Sequence, residues 1–256
     1  MSGRSIKSAE RTLALFELFS RLETPLTVGD VSQGLAIPQP SASMLLRNLA
    51  QLGYLEHNRQ TRRFMPTIRV VLLGSWISRR FSEAGALATK LEALTAVCTG
   101  GTVYAAIQND AAVQSVLVFE ASTPDRLSVS SGAHRTLTCS AAGRALLSVR
   151  RDSEIIGWVR RCNAEATDAR LRVNEDDFLK IIWQVRRQGY AITDETAGPG
   201  RCGIAVAVPS PLGETTLAIG IAGPKARIIP YRDRLIDEVL KLRAAFDKAS
   251  TPIRLN

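Results

Sequence analysis

Three groups of residues in this 256-residue chain have types and spacings that could do chemistry. The first runs from Gln39 to Gln51. Ala42, Leu45, Leu46, Leu49 and Leu52 fall on one side at helical spacing, while Met44, Arg47 and Gln51 fall on the other, flanked by Ser43 and Asn48. A guanidinium among short polar groups suits the edges of nucleic-acid bases. Arg can bond guanine bidentately, and Ser, Asn and Gln reach base edges or phosphates. An ordinary solvated helix carries the same letters. The second group is Arg59, Arg62 and Arg63, crowded at a turn between two short alternating runs. Such a cationic tip suits phosphates or a minor groove, and is equally a solvated turn. The third is Cys139-Ser140-Ala141-Ala142-Gly143. Small residues opening a helical pattern let a small anion approach backbone N–H groups, with Ser140 as a hydroxyl donor. Plain core packing explains them as well.

Other chemistries find less support. Cys98, Cys139, Cys162 and Cys202 are widely spaced, with no CxxC, and His57 lies far from His134, so no metal site, disulfide framework or cofactor is expected. No GxSxG, HExxH or phosphate-binding P-loop pattern occurs. Cys139 with His134, or Cys202 with His57, are conceivable nucleophile pairs, but nothing orients a base, and catalysis is not expected. Arg126, Arg135 and Arg144 are further anion partners, each equally a solvated charge or a salt bridge.

The net charge is +9, and it is uneven: residues 1–80 carry 11 Lys and Arg against 5 Asp and Glu, and the remainder carries 22 against 19. An excess concentrated in the smaller part fits a phosphate-facing head. No apolar run approaches the roughly 20 residues that span a bilayer, and the polar start does not read as a signal peptide. A cytoplasmic protein with no membrane partner is expected.

The positioning elements follow from periodicity and breakers. Ser5 to Leu22 reads as a helix with two apolar stripes, Ala9-Leu13-Phe16-Phe19 and Leu15-Leu18-Leu22. The two form either one wide buried face, or a core stripe with the second stripe packed on a partner chain. Thr24-Pro25 breaks the helix. Thr27 followed by Asp30 has the spacing of a capping box for a second helix. Gly34 to Pro38 makes a tight connection to the third helix, read from 41 to 52, and two strands then flank the Asn58–Arg62 turn. Residues 70–77 read as a short joining helix, followed by a helix to about Val97. Thr102–Gln108, Gln114–Glu120, Leu127–Ser131, Gly203–Pro209 and Thr215–Ala222 read as strands. Thr138–Val149, Asn174–Gln188 and Tyr231–Ala249 read as helices. Hairpins mixed with helices predict an α+β domain with an antiparallel sheet.

Residues 5–16, "SIKSAERTLALF", and 35–56, "LAIPQPSASMLLRNLAQLGYLE", resemble the opening helix and recognition segment of the IclR-type bacterial transcriptional regulators. Further on, "SAAGRALL" (140–147), "QGYAITDET" (188–196), "GRCGIAVAVP" (200–209) and "IAGPKARI" (221–228) resemble the family's C-terminal effector domain, in the family's order. There are departures. Gln39-Pro40-Ser41 stands where members often carry Ser-Thr, Arg62 replaces a wing glycine, and Gly220-Ile221-Ala222 replaces a Ser-x-Ser pattern.

The resemblance implies a winged helix-turn-helix over 1–68, a linker helix over 69–81 and a GAF-like effector-binding and oligomerisation domain over 82–256. It implies a sequence-specific DNA-binding regulator with double-stranded operator DNA as partner. Gln39, Ser41, Ser43, Met44, Arg47 and Asn48 would face the groove, and Arg59, Arg62 and Arg63 the backbone. A homodimer or homotetramer is implied, as is a small organic acid effector. Cys139, Ser140 and Ala141 would surround that acid from the helix start, and Asp194, Cys202, Gly220 and Ala222 from the strands. An aromatic or short aliphatic carboxylate is the expected class, and the missing serines favour a larger, less polar one. A non-specific or architectural DNA-binding protein with a C-terminal assembly domain is the alternative.

Overall fold

The computed structural model describes residues 6–75, 87–98, 100–120, 134–210 and 216–249. The chain divides between residues 79 and 80 into two compact units. Trp76–Phe81, the expected strand 127–131, Arg126 and residues 211–214 lie outside the described residues.

The first unit begins with α1 (Lys7–Leu22), which ends where Glu23 adopts a left-handed conformation (φ 49°). Leu15, Leu18 and Phe19 are buried, whereas Leu13 is 66% and Leu22 47% exposed. The single wide buried face is therefore too broad an expectation, and the stripe left outside the core contains Leu13 rather than Leu15 and Leu18. α2 (Val28–Gly34) starts at Thr27 as a full capping box. The Asp30 backbone N–H donates to Thr27 Oγ1 at 3.2 Å, and the Thr27 N–H donates to Asp30 Oδ2 at 2.8 Å. A Cβ on Gly34 would stand 2.8 Å from Leu18 Cδ2, so the glycine permits the close approach of α1.

α3 (Gln39–Gln51) begins two residues earlier than the sequence pattern suggests, because Pro40 fits the first turn, where its missing N–H has no intrahelical partner. Ala42, Leu46 and Leu49 are buried, and Leu52, expected on that face, is 51% exposed just past the helix end. A hairpin follows, β1 (Leu55–Asn58) and β2 (Arg63–Pro66), with Leu26 bridged to Phe64 as a third backbone segment. Leu15, Val31, Leu46, Leu55 and Phe64 belong to the core that closes the unit. α4 (Ile68–Leu73) is shorter than the expected joining helix within the described residues.

The second unit is built on a six-stranded antiparallel sheet, with α5 (Leu87–Thr95) preceding it. Its strands are β3 (Thr102–Asn109), β4 (Ala112–Glu120), β5 (His134–Thr136), β6 (Ala191–Asp194), β7 (Arg201–Pro209) and β8 (Thr216–Pro224), in the order β5-β4-β3-β8-β7-β6. Between β5 and β6 run α6 (Ala141–Ser148), α7 (Asp152–Glu165) and α8 (Glu175–Gln188), and after β8 come α9 (Lys225–Ile228) and α10 (Arg232–Ala249). Helix α7, which the sequence pattern did not bring out, packs Ile155, Val159 and Cys162 into the core.

Alternation gives the sheet two unlike faces. Val103, Ile204, Val206, Ile219 and Ile221 point one way, into a core shared with Leu91 of α5 and Val239 of α10. Ala106, Ala205, Ala207 and Ala218 point the other way, toward Ala141, Ala142 and Ala145 of α6. Small residues on both sides let α6 lie close. A Cβ on Gly143 would stand 2.0 Å from the Leu137 carbonyl oxygen. Among the described residues no helix is long and apolar enough to cross a membrane.

Candidate functional site

In the first unit, the outer side of α3 carries Met44 at 74% exposure, together with exposed Gln39, Arg47 and Asn48 and half-buried Ser41 and Ser43. The wing tip is shaped by Asn58, whose side-chain oxygen accepts the backbone N–H groups of Gln60 and Thr61 at 3.0 and 3.1 Å. Arg62 then turns the chain with φ 54°. Only the left-handed region closes this turn, and a non-glycine residue there costs about 1–2 kcal/mol. Arg59 and Arg62 are exposed. Arg63 is tied back, donating to the Pro25 carbonyl at 2.7 Å and lying 3.8 Å from Asp30, so it anchors the hairpin to the start of α2. His57 stacks on Phe64 with ring centroids 4.2 Å apart.

In the second unit, a cleft opens on the small-residue face of the sheet against the start of α6. It encloses about 660 Å³ counting its open mouth. Of the residues expected around an effector, Ser140, Ala141, Cys202 and Ala222 line it. Cys139, Asp194 and Gly220 do not. The Cys139 thiol is turned toward the Leu171 carbonyl, 3.8 Å away. Asp194 falls on the opposite alternation from Thr193, is exposed, and pairs with Lys225 Nζ at 2.9 Å. Gly220 lies beneath Tyr104: a Cβ there would stand 2.7 Å from Tyr104 Oη. Ser140 caps α6, accepting the Gly143 N–H at 3.1 Å and donating to the Thr136 carbonyl at 3.3 Å, so its own proton is engaged. Arg144 is buried and donates to the Thr138 and Ile192 carbonyls at 3.2 and 3.4 Å, fastening α6 to the sheet.

Several cleft residues escaped the sequence pattern. Tyr104, Ser115 and Thr193 line it, each more than nine-tenths buried, and among the described residues none of their hydroxyls meets a protein partner. Buried hydroxyls in native proteins almost always bond something. Burial pushes the Tyr104 phenol well above its ordinary value, so it remains a neutral donor. Ser115 reaches the cleft because of a bulge. Ala105 pairs with Leu117 but Ala106 with Ser115, leaving Val116 as the extra residue and Ser115 on the face of Ala106 and Tyr104. Arg135, paired across strands with Val113, and Arg201 supply positive charge. Among the described residues no Asp or Glu lines the cleft. Burial first, then Asp194, pushes the Cys202 thiol up, which disfavours the nucleophilic thiolate. Gly198 to Gly203 spells GxGxxG, but it runs into β7, whereas a dinucleotide loop opens a helix. Among the described residues no three His, Cys, Asp or Glu side chains gather as a metal site.

A winged helix-turn-helix joined to a separate α+β domain with a cation-lined cleft defines the class: a DNA-binding regulator carrying a second, separate unit. Residues 8–59 match the IclR helix-turn-helix domain, and residues 86–250 match the bacterial transcriptional regulator IclR C-terminal domain. The chain belongs to the IclR family of bacterial transcriptional regulators. It is similar to the HTH-type transcriptional repressor AllR of Salmonella paratyphi A, with 27% identity over 255 residues, covering 98% of this chain and 92% of that protein. Among solved structures, the effector domain of an IclR regulator from Acinetobacter sp. ADP1 is 28% identical with a TM-score of 0.57, covering 68% of this chain and 96% of that one. An IclR homolog from Microbacterium hydrocarbonoxydans, complexed with 4-hydroxybenzoate, shares the fold at 16% identity and a TM-score of 0.68, covering 94% of this chain and 98% of that one.

Proposed function

We propose that this chain is a sequence-specific operator-binding regulator whose DNA affinity is set by a small organic acid held in the cleft of the second unit. One observation carries the effector half: among the described residues, three buried hydroxyls without a protein partner face a cleft that arginines line and carboxylates do not. Such a lining offers donors and positive charge in an otherwise apolar shell, which suits a carboxylate. The 4-hydroxybenzoate bound by the Microbacterium homolog is of this chemical class.

Arg47, Met44, Ser43 and Asn48 read base edges, Gln39 and Ser41 support them, and Arg59 and Arg62 lie along phosphates, with Arg63 positioning the wing. The GAF-like second domain assembles the chain as a homodimer or homotetramer in the cytoplasm, so paired heads meet a pseudo-palindromic operator. An acid that binds two arrangements of the heads unequally shifts their population and hence operator affinity.

The test is fluorescence anisotropy of the protein with DNA from its own promoter region and with scrambled DNA, across salt concentrations and with carboxylates added. Selective binding that an acid shifts saturably is the expected result. Equal binding to both DNAs with a steep salt slope would instead mark a non-specific DNA-associated protein.

A further inference from the structure

We infer, on the premise that an organic acid occupies this cleft, that Arg201 with Thr193 holds its one carboxylate while Tyr104 and Ser115 read an uncharged polar group on its body: the ligand is a monocarboxylate that also bears a hydroxyl or an amide. The charged end rests on register. Thr193 of β6 pairs with Gly203 of β7, and a Cβ on Gly203 would stand 3.3 Å from Thr193 Oγ1 and 3.4 Å from the Cβ of Ala141. Thr193 therefore reaches over Gly203 toward the start of α6. Arg201 lies two residues from Gly203 on the same strand and so on the same face. It is the diagonal neighbour of Thr193, about 7–8 Å away and within reach of a long side chain.

Arg201 is half-buried, and among the described residues its guanidinium makes no ion pair. The acids around it are engaged. Asp194 and Glu195 share Lys225 at 2.9 and 3.7 Å, and Glu195 also accepts the Gly200 N–H at 3.0 Å. The Arg201 backbone is fixed, its carbonyl accepting the Glu195 N–H at 2.7 Å. One carboxylate can thus take the guanidinium and the Thr193 hydroxyl together. Further along the cleft the chemistry changes. Tyr104 lies over Gly220, whose other strand partner, Ala205, is two residues past Gly203. Ser115 stands on β4, with β3 and β8 between it and β7. Arg135, beyond it, has a protein partner of its own. Two buried hydroxyls that can donate or accept are satisfied by a neutral polar group, whereas a second buried charge would need a cation to pair with.

The experiment is isothermal titration calorimetry of the full chain with matched acids: 6-hydroxyhexanoate against hexanoate, and 4-hydroxyphenylacetate against phenylacetate. The expected result is about ten-fold tighter binding, or more, of a hydroxylated acid than of its plain partner. Arg201→Gln should weaken both members of a pair by a similar factor and keep their ratio, and Arg201→Lys should restore part of the affinity. Tyr104→Phe with Ser115→Ala should bring the ratio toward parity and leave the plain acid's affinity near wild type. Circular dichroism melts of the variants separate lost binding from lost folding. If plain and hydroxylated acids bind alike, water satisfies the two hydroxyls, and the polar-body reading is wrong while the organic-acid cleft stands. It is equally wrong if the ratio survives in the double variant, or if Arg201→Gln binds every acid as wild type does. If no acid binds, the premise fails with it.

Discussion

Replacing Gly220 with alanine tests how the cleft floor is built. Gly220 has no left-handed backbone conformation, so its role is space. A Cβ there would stand 2.6 Å from the Ile204 carbonyl oxygen, 2.7 Å from Tyr104 Oη and 2.9 Å from Ala205 Cβ. The carbonyl belongs to β7 and is held in the ladder with β8, so it cannot swing aside. Overpacking of this kind costs about 1–3 kcal/mol. Alanine also stiffens the unfolded chain, which returns about 0.4–1 kcal/mol. A net loss of about 1–2 kcal/mol lowers the melting temperature of a domain of this size by about 2–8 °C. Differential scanning calorimetry at fixed protein concentration follows the transition of the second unit. Tyr104→Phe alone removes an unpartnered buried hydroxyl and is expected to be neutral or mildly stabilising. In the Gly220→Ala background it relieves one of the three contacts and restores part of the loss. A melting temperature at or above wild type in Gly220→Ala would refute the packing reasoning. Absence of any rescue would show that the phenol is not an obstacle. The same geometry explains why this chain departs from the Ser-x-Ser pattern: at position 220, the phenol of Tyr104 occupies the room a serine side chain needs.

Other expectations follow from single contacts. Arg47→Ala should cost about 1–3 kcal/mol on specific DNA and less on scrambled DNA, whereas Arg62→Ala should weaken both and reduce the salt slope by about 1 in anisotropy titrations. Arg62→Gly should lose the same phosphate contact yet raise the stability of the head by about 1 kcal/mol in urea unfolding, because glycine adopts φ 54° without strain. The Asp30 carboxyl, holding the Thr27 backbone N–H and hydroxyl, sits below its ordinary value of 3.8. Its contribution to the head is therefore complete above about pH 4 and lost as pH falls through the folded value. Thermal melts of Asp30→Asn from pH 5 to 2 should be flatter than wild type. Gly143→Ala, with its Cβ 2.0 Å from a backbone oxygen, should cost about 3 kcal/mol or more and is checked by the soluble yield and melting of the second unit.

What the sequence disclosed was mostly local. The capping box at Thr27 and Asp30 is a three-residue relation, and it forms as spaced. The buried side of α3 follows from one helical period. The stripe on α1 was harder: Leu13 and Leu15 are both leucines, and only the position of α2 and the wing decides which is buried. Helix α7 is masked by Arg160, Arg161 and the acidic residues among its few apolar positions. The cleft depended on distant pairing. Tyr104, Ser115, Thr193 and Arg201 lie on four strands spread over about a hundred residues, and each looks like an ordinary alternating position. Ser115 faces inward only because of the bulge at Val116. Asp194 sits one residue from Thr193, and strand alternation sends the two to opposite sides. Arg63 looked like its neighbours Arg59 and Arg62, until the Pro25 carbonyl and Asp30 came into reach.

The unlike faces of the sheet divide the domain into a part that tolerates alteration and a part that does not. Val103, Ile204, Val206, Ile219 and Ile221 form the interlocked side, where shortening any of them leaves a hole under α5 or α10. Where the alanine side borders the cleft, Ala142 and Ala222 abut its open volume. Lengthening these two to valine or leucine would shorten the chamber without touching the interlocked side. If the proposed acid occupies the cleft, its chemical class can thus be retuned one methyl group at a time, with the interlocked side left unchanged.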